Sequence, residues 1–321
     1  MKTEIIDTYS PQEGFMINKV LPVNQETHVI LMSKLSPDYT HKAVIEIKGA
    51  LNRKIDVSGF LPEKKGIVHQ SIFAYKKGFG LRDHGHSLLL LWGELEQENP
   101  TIIHIEQSPH SEIEMRKNSL AFASYDESDN TILIGINDNK GSAATARYWA
   151  SLQFLEEVEK GNEISLEWNE VHELDAERYP PTYYHGSPLE WLGINDIIQV
   201  NEKKYIYSIG GGLSRMRSGP QYEFSILSVL DKENNVIKNI DVEEGKRSFS
   251  ADKKYFMVRP AKKKRLLIYD LETLEINYNI PLKADQNLGS IDGNIAVSAD
   301  LYGNRLYVYT MSCLNICQLI E

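Results

Sequence analysis

Ser248-Phe249-Ser250-Ala251-Asp252-Lys253-Lys254-Tyr255-Phe256-Met257-Val258 is a short apolar step, a polar turn and a second apolar run. It leads into Arg265-Leu266-Leu267-Ile268-Tyr269-Asp270-Leu271-Glu272-Thr273 and closes with Glu275-Ile276-Asn277-Tyr278-Asn279-Ile280-Pro281. Each run is short, rich in aliphatic and aromatic residues and bounded by turn formers, which is the pattern of β-strands joined by hairpins. The opening recurs near the end of the chain, where Ile295-Ala296-Val297-Ser298-Ala299-Asp300 is followed by Asn304-Arg305-Leu306-Tyr307-Val308-Tyr309. In Arg305 to Tyr309 the aliphatic residues share one face and the larger polar-tipped ones the other, the period-two alternation of a strand.

The rest of the chain carries the same signal. Val29–Leu35, Ala43–Lys48, Leu88–Leu95, Thr101–Glu106, Thr131–Ile136, Lys204–Ile209, Leu266–Leu271 and Leu306–Thr310 all read as strands. Long segments of helical period are nearly absent. The one helix-like stretch, Ala143–Lys160, does not settle its period, and its Trp149, Leu152, Phe154, Leu155 and Val158 lean towards strand. Aligning the polar turn between the first two strands of each unit gives Asn24, Asp83, Asp126, Asn201, Asp252 and Asp300, with the last two intervals near 50 residues, the size of four short strands plus turns. The longest interval holds an extra segment, Asp175–Asn195, without a strand pattern. Six units fit this count; seven would need a degenerate unit inside that gap.

These units resemble blades of the β-propeller superfamily, in the manner of WD40-like and YVTN-type repeats: apolar strand, Ser-x-Asp turn, second apolar strand, then an aspartate-bearing third strand. The resemblance is clearest over residues 196–321. It implies an all-β chain forming a single propeller domain over residues 1–321, and it carries no shared activity. A four-stranded blade cannot bury both faces alone, so blades pack on their neighbours, and propellers commonly complete one blade from both termini. The last unit supplies only three strands, Ile295–Ser298, Arg305–Met311 and Leu314–Ile320; Lys2–Thr8 is the expected fourth. Cys313 and Cys317 then become packing residues of the closing blade, since no second pair exists at metal-ligand spacing.

Composition narrows the function. Across 321 residues, 35 basic and 45 acidic side chains leave a net charge of −10, a balance against nonspecific capture of nucleic acid phosphate. The longest apolar run, Leu88 to Trp92, is far short of the ~20 residues of a membrane-spanning helix, and Met1–Asp7 carries charges where a signal peptide needs an apolar stretch. The expected setting is cytoplasmic, unless a signal was removed before this sequence begins. Asp83-His84-Gly85-His86 reads as a tight hairpin between first and second strands rather than a metal site. His104 reads as a half-buried strand residue. Gly210-Gly211-Gly212 lacks the Gly-Lys-Ser/Thr ending of a phosphate loop and reads as a flexible connection.

In a propeller, strands run a to d from the axis outward, and the d–a crossovers and b–c loops share one face. The resemblance therefore gathers four segments: the crossover with Arg178, Tyr183, Tyr184, His185 and Trp191; the loop with Arg215 and Arg217; the loop from Asp138 to Arg147; and the basic run Lys262-Lys263-Lys264-Arg265. Tyr, Trp and Arg are enriched at interface centres, and the cationic groups favour an anionic partner. The expected binding residues are Arg178, Tyr183, Tyr184, His185, Trp191, Arg215, Arg217, Lys263 and Arg265. The reading is a non-enzymatic binding protein, a monomer without a cofactor, that presents this face to a protein or other anionic macromolecule. No nucleophile motif is present. The alternative is a propeller hydrolase or lactonase-like enzyme holding calcium or magnesium in the central channel through Glu190, Asn195, Asp196, Asp285, Asp292 and Asn294, hard oxygen ligands suited to those ions.

Overall fold

The computed structural model describes residues 2–37, 41–61, 70–83, 88–105, 120–136, 148–154, 166–173, 191–212, 222–243, 245–260, 263–282 and 298–320. The strands are β1 (Lys2–Tyr9), β2 (Met16–Pro22), β3 (His28–Leu35), β4 (His41–Lys48) and β5 (Arg53–Asp56), then β6 (Gln70–Tyr75), β7 (Gly78–Asp83), β8 (Leu88–Trp92) and β9 (Thr101–His104). The third sheet has β10 (Leu120–Asp126), β11 (Thr131–Ile136), β12 (Tyr148–Phe154) and β13 (Leu166–Glu173); the fourth has β14 (Trp191–Val200), β15 (Lys203–Gly212), β16 (Tyr222–Leu230) and β17 (Val236–Asp241). The last two hold β18 (Gly245–Phe249), β19 (Tyr255–Pro260), β20 (Arg265–Asp270) and β21 (Ile276–Pro281), then β22 (Ser298–Tyr302), β23 (Arg305–Tyr309) and β24 (Leu314–Ile320).

Six four-stranded sheets with the order a-b-c-d make a six-bladed β-propeller. The closing blade runs β22-β23-β24-β1. Its outer strand is antiparallel to β24 from Lys2↔Ile320 to Tyr9↔Leu314, so the N-terminal strand is the expected fourth one. The ambiguous Ala143–Lys160 stretch contains β12, a strand whose Trp149, Ala150 and Leu152 are buried.

The hairpin turns follow from backbone chemistry. Lys76, Asn130, Asn201, Lys253 and Gly303 take positive φ between β6–β7, β10–β11, β14–β15, β18–β19 and β22–β23. One left-handed residue is what a tight hairpin needs to match strand twist. Between β2 and β3, Asn24 Oδ1 accepts the Glu26 and Thr27 N–H groups, each at 2.8 Å. In the Ser-x-Asp turn, Ser250 Oγ donates to Asp252 at 2.7 Å and accepts from Tyr255 N at 2.9 Å.

Three expectations are corrected here. Asp83 is not in the first hairpin of its blade: that turn is Lys76-Lys77, and Asp83 ends β7 fully buried. His84-Gly85-His86 therefore joins the second and third strands and lies outside the described residues. Asp300 is likewise a buried residue within β22, with the turn three residues later at Gly303, and Ile295–Val297 lie outside the described residues. A buried aspartate and a turn aspartate look alike in a sequence. Gly210-Gly211-Gly212 is strand, paired with both β14 and β16.

Contacts divide the chain into two compact units, residues 1–79, 93–96 and 244–321, and residues 80–92 and 97–243. In the first, Met257, Leu266 and Ile268 of the fifth sheet pack with Leu301, Leu306 and Cys317 of the sixth. Ile17, Ile30 and Met32 of the first sheet pack with Tyr307, Tyr309 and Ile316. Neighbouring Ile316 and Cys317 thus fill cores on opposite faces of the closing blade, as the period of a strand dictates. Each such side chain contributes about 1.5–3 kcal/mol by leaving water. Both cysteines are buried and free, and burial pushes the Cys317 thiol up to about 11, so it is an inert packing group. In the second unit, Phe122, Leu133 and Trp149 pack with Ile194, Ile197 and Ile206.

Candidate functional site

Strand order assigns each of the four segments to the connection type expected of it. Arg178, Tyr183, Tyr184 and His185 fall between β13 and β14, Arg215 and Arg217 between β15 and β16, and residues 138–147 between β11 and β12; all lie outside the described residues. Trp191 is the first residue of β14 and pairs with Gly211. Lys263 and Lys264 are exposed on the connection between β19 and β20, where the Lys263 N–H donates to the Pro260 carbonyl at 3.3 Å. Arg265 opens β20, half-buried and opposite Pro281. Of the oxygen groups named for a divalent cation, Asn195 and Asp196 lie in β14, where Asp196 Oδ1 accepts the Ile197 N–H at 2.9 Å; Glu190, Asp285, Asp292 and Asn294 lie outside the described residues. His104 is exposed at the end of β9 rather than half-buried.

Sequence reasoning missed a cationic cluster at the same ends of the fifth and sixth blades. Lys246 on β18 is the register partner of Arg259 on β19, which puts both side chains on one face of the sheet. Gly245 makes that pairing possible. Its φ is +153°, and a Cβ there would run into the Arg259 carbonyl oxygen and lie 2.8 Å from Pro260 Cα. The next blade is held close by Ser248 Oγ, which donates to the Ala299 carbonyl at 2.9 Å, and Lys246 Nζ donates to Ser298 Oγ at 3.3 Å. Arg259 is half-buried and Lys246 is exposed. Burial, then the adjacent Arg259 charge, holds the Lys246 ammonium below its ordinary value, and burial also lowers Arg259. The one sequence signal for this cluster was Gly-Lys-Arg at 245–247, a strand start with two cations, which reads as a solvated face.

In the second unit an open cleft of about 790 Å³ is lined by Asp129, Ser151, His172, Gln199, Lys204 and Asn234, among others. The His172 ring stacks on Trp149 with centroids 4.2 Å apart, and Lys204 Nζ lies 5.5 Å from the indole centroid. Gln199 Nε2 donates to Asp129 Oδ2 at 3.1 Å, and Asn234 Nδ2 and His172 Nε2 are 3.3 Å apart. These polar groups are largely turned on one another, and they tie the two sheets together. Among the described residues no group of three or more His, Cys, Asp or Glu is arranged to hold a metal ion, and no helix is long and apolar enough to cross a membrane.

No family model matches the chain, and no curated protein matches it in sequence. Solved structures do match. The β-propeller domain of Cps50 (Swd1) from Myceliophteria thermophila is 8% identical, with 99% of this chain and 100% of that chain covered and a TM-score of 0.47. Apo AztD from Citrobacter koseri is 11% identical over 87% of this chain and 76% of its own, with a TM-score of 0.41. The dihydro-heme d1 dehydrogenase NirN is 12% identical over 95% of this chain and 73% of its own, with a TM-score of 0.38.

Proposed function

We propose that this protein is a non-enzymatic binding protein whose rigid blades present the b–c and d–a connections to an anionic protein partner. The supporting observation is the exposed pair Lys263 and Lys264 on one of those connections, in a chain whose net charge is −10. Cations concentrated in loops on a rigid scaffold steer an acidic partner and fix its orientation. The Tyr and Trp residues of the 178–191 segment supply the apolar area that gives such a contact its lifetime. In this reading Arg178, Tyr183, Tyr184, His185, Trp191, Arg215, Arg217, Lys263 and Arg265 touch the partner, and no cofactor takes part.

The test is affinity capture from the native host followed by mass spectrometry, with wild type beside Lys263→Glu/Lys264→Glu and Arg215→Glu/Arg217→Glu. The variants keep the wild-type melting temperature. The same acidic protein is recovered at least several-fold less by either variant and is released by salt, because rim charges act through a screened field. Equal recovery by all three proteins rejects the proposed face.

A further inference from the structure

We propose that Lys246, Arg259 and Ser298 form a seat for a single oxyanion, a carboxylate or phosphate carried by the partner. The inference rests on the binding reading for the source of that oxyanion, and on the geometry alone for the seat itself.

Two cations at opposed positions of adjacent strands repel one another, and the partial burial of Arg259 strips water that would otherwise screen its guanidinium. Folded proteins normally answer such an arrangement with a carboxylate. Here, among the described residues, no carboxylate forms an ion pair with either side chain. Among the described residues the buried Arg259 Nε has no hydrogen-bond partner, and Lys246 has one neutral hydroxyl. The protein carries ten more acidic than basic residues, so a shortage of carboxylates is not the reason. Burial lowers the proton affinity of both groups, and for Lys246 the neighbouring Arg259 charge adds to it.

The arrangement is also held in place. The Gly245 approach to Arg259 fixes the two strands, and the Ser248 bond to Ala299 fixes the neighbouring blade that supplies Ser298. The strands that carry the donors are therefore set on folding, before any ligand arrives, which lowers the ordering cost of binding. A guanidinium and an ammonium at paired register positions, with a hydroxyl 3.3 Å from the ammonium, match the several lone pairs of a carboxylate or phosphate. Lys246 is exposed and Arg259 partly so, and an anion therefore reaches them from solvent; Lys263 and Lys264 stand on the connection that follows β19.

The test follows thermal unfolding of the full chain at fixed ionic strength, with inorganic phosphate in one arm and a short unphosphorylated acidic peptide in the other. Wild type gains about 2 °C or more in a saturable way in at least one arm. Arg259→Met and Lys246→Met each weaken the apparent affinity about tenfold or more, while Arg259→Lys retains most of it. In chloride alone, Arg259→Met unfolds no earlier than wild type, since it relieves a repulsion. A response in the phosphate arm only assigns the seat to a phosphorylated partner, and one in the peptide arm assigns it to acidic side chains. No saturable response in either arm, or an equal response in wild type and both methionine variants, overturns the seat. If the seat holds but Arg259→Met leaves partner capture unchanged, the binding reading fails and the oxyanion site stands.

Discussion

Asp300 and the Lys246–Arg259 pair lie on inner strands of the same two neighbouring blades, yet their charges are treated in opposite ways. Asp300 is fully buried and accepts the Leu301 N–H at 2.8 Å and the Ala251 N–H at 3.1 Å, and it pairs with Lys19 Nζ at 3.5 Å. Its partners come from the sixth, fifth and first blades. The contact is reciprocated one turn away, where Asp252 of the fifth blade accepts the Gly303 N–H of the sixth at 3.1 Å. Among the described residues the cations have a single hydroxyl between them. A buried charge answered by three successive blades joins those blades; a cation pair at the surface that no carboxylate of the described residues answers is available to something outside the chain.

The largest effect comes from breaking the answered charge. Asp300→Ala leaves Lys19 and two amide groups without their acceptor, and removing one side of a buried pair costs about 3–5 kcal/mol. Urea unfolding measures it. A loss below about 1 kcal/mol would mean that Asp300 does not join the blades. Next comes the glycine that builds the unanswered pair. Gly245→Ala forces a Cβ against the Arg259 carbonyl, and a side chain at that φ is strained by about 1–3 kcal/mol. The same variant loses the oxyanion response along with stability, because it parts Lys246 from Arg259. Retention of the full response in Gly245→Ala would show that the register of β18 on β19 does not make the seat.

The contrast also marks what the sequence carries. Strand runs such as Val29–Leu35 and the closing strand Lys2–Thr8 were legible because period-two burial and blade closure are set by local patterning and chain topology. The Ser250–Asp252 turn was legible because its hydrogen bonds are local. Asp83 and Asp300 were misplaced as turn residues because their roles depend on burial, a property of the assembled blades. Lys246 and Arg259 were invisible for a related reason. They are 13 positions apart, and only the register of β18 on β19 makes them neighbours. Charges that act locally announce themselves in a sequence, whereas charges made significant by what surrounds them do not.

The smallest expected effect separates the two regions by pH. Burial outweighs Lys19 and the two amides, pushing the Asp300 carboxyl from 3.8 up to about 6. Between those values the folded state binds more protons than the unfolded one, so this group's contribution to stability is lost as pH rises through the window. For Lys246 the folded state holds its proton less tightly than the unfolded value of 10.5, so the unfolded state binds more protons and stability rises with pH towards that value. Urea unfolding of wild type against Asp300→Asn then gives a stability difference that falls from pH 4 to 6. Wild type against Lys246→Met gives a difference that climbs on the alkaline side, and phosphate flattens that climb by answering the charge. A flat acid-side difference would show that Lys19 and the amides fully compensate Asp300. A flat alkaline difference without phosphate would show that solvent already answers Lys246, and the contrast between the two regions would disappear.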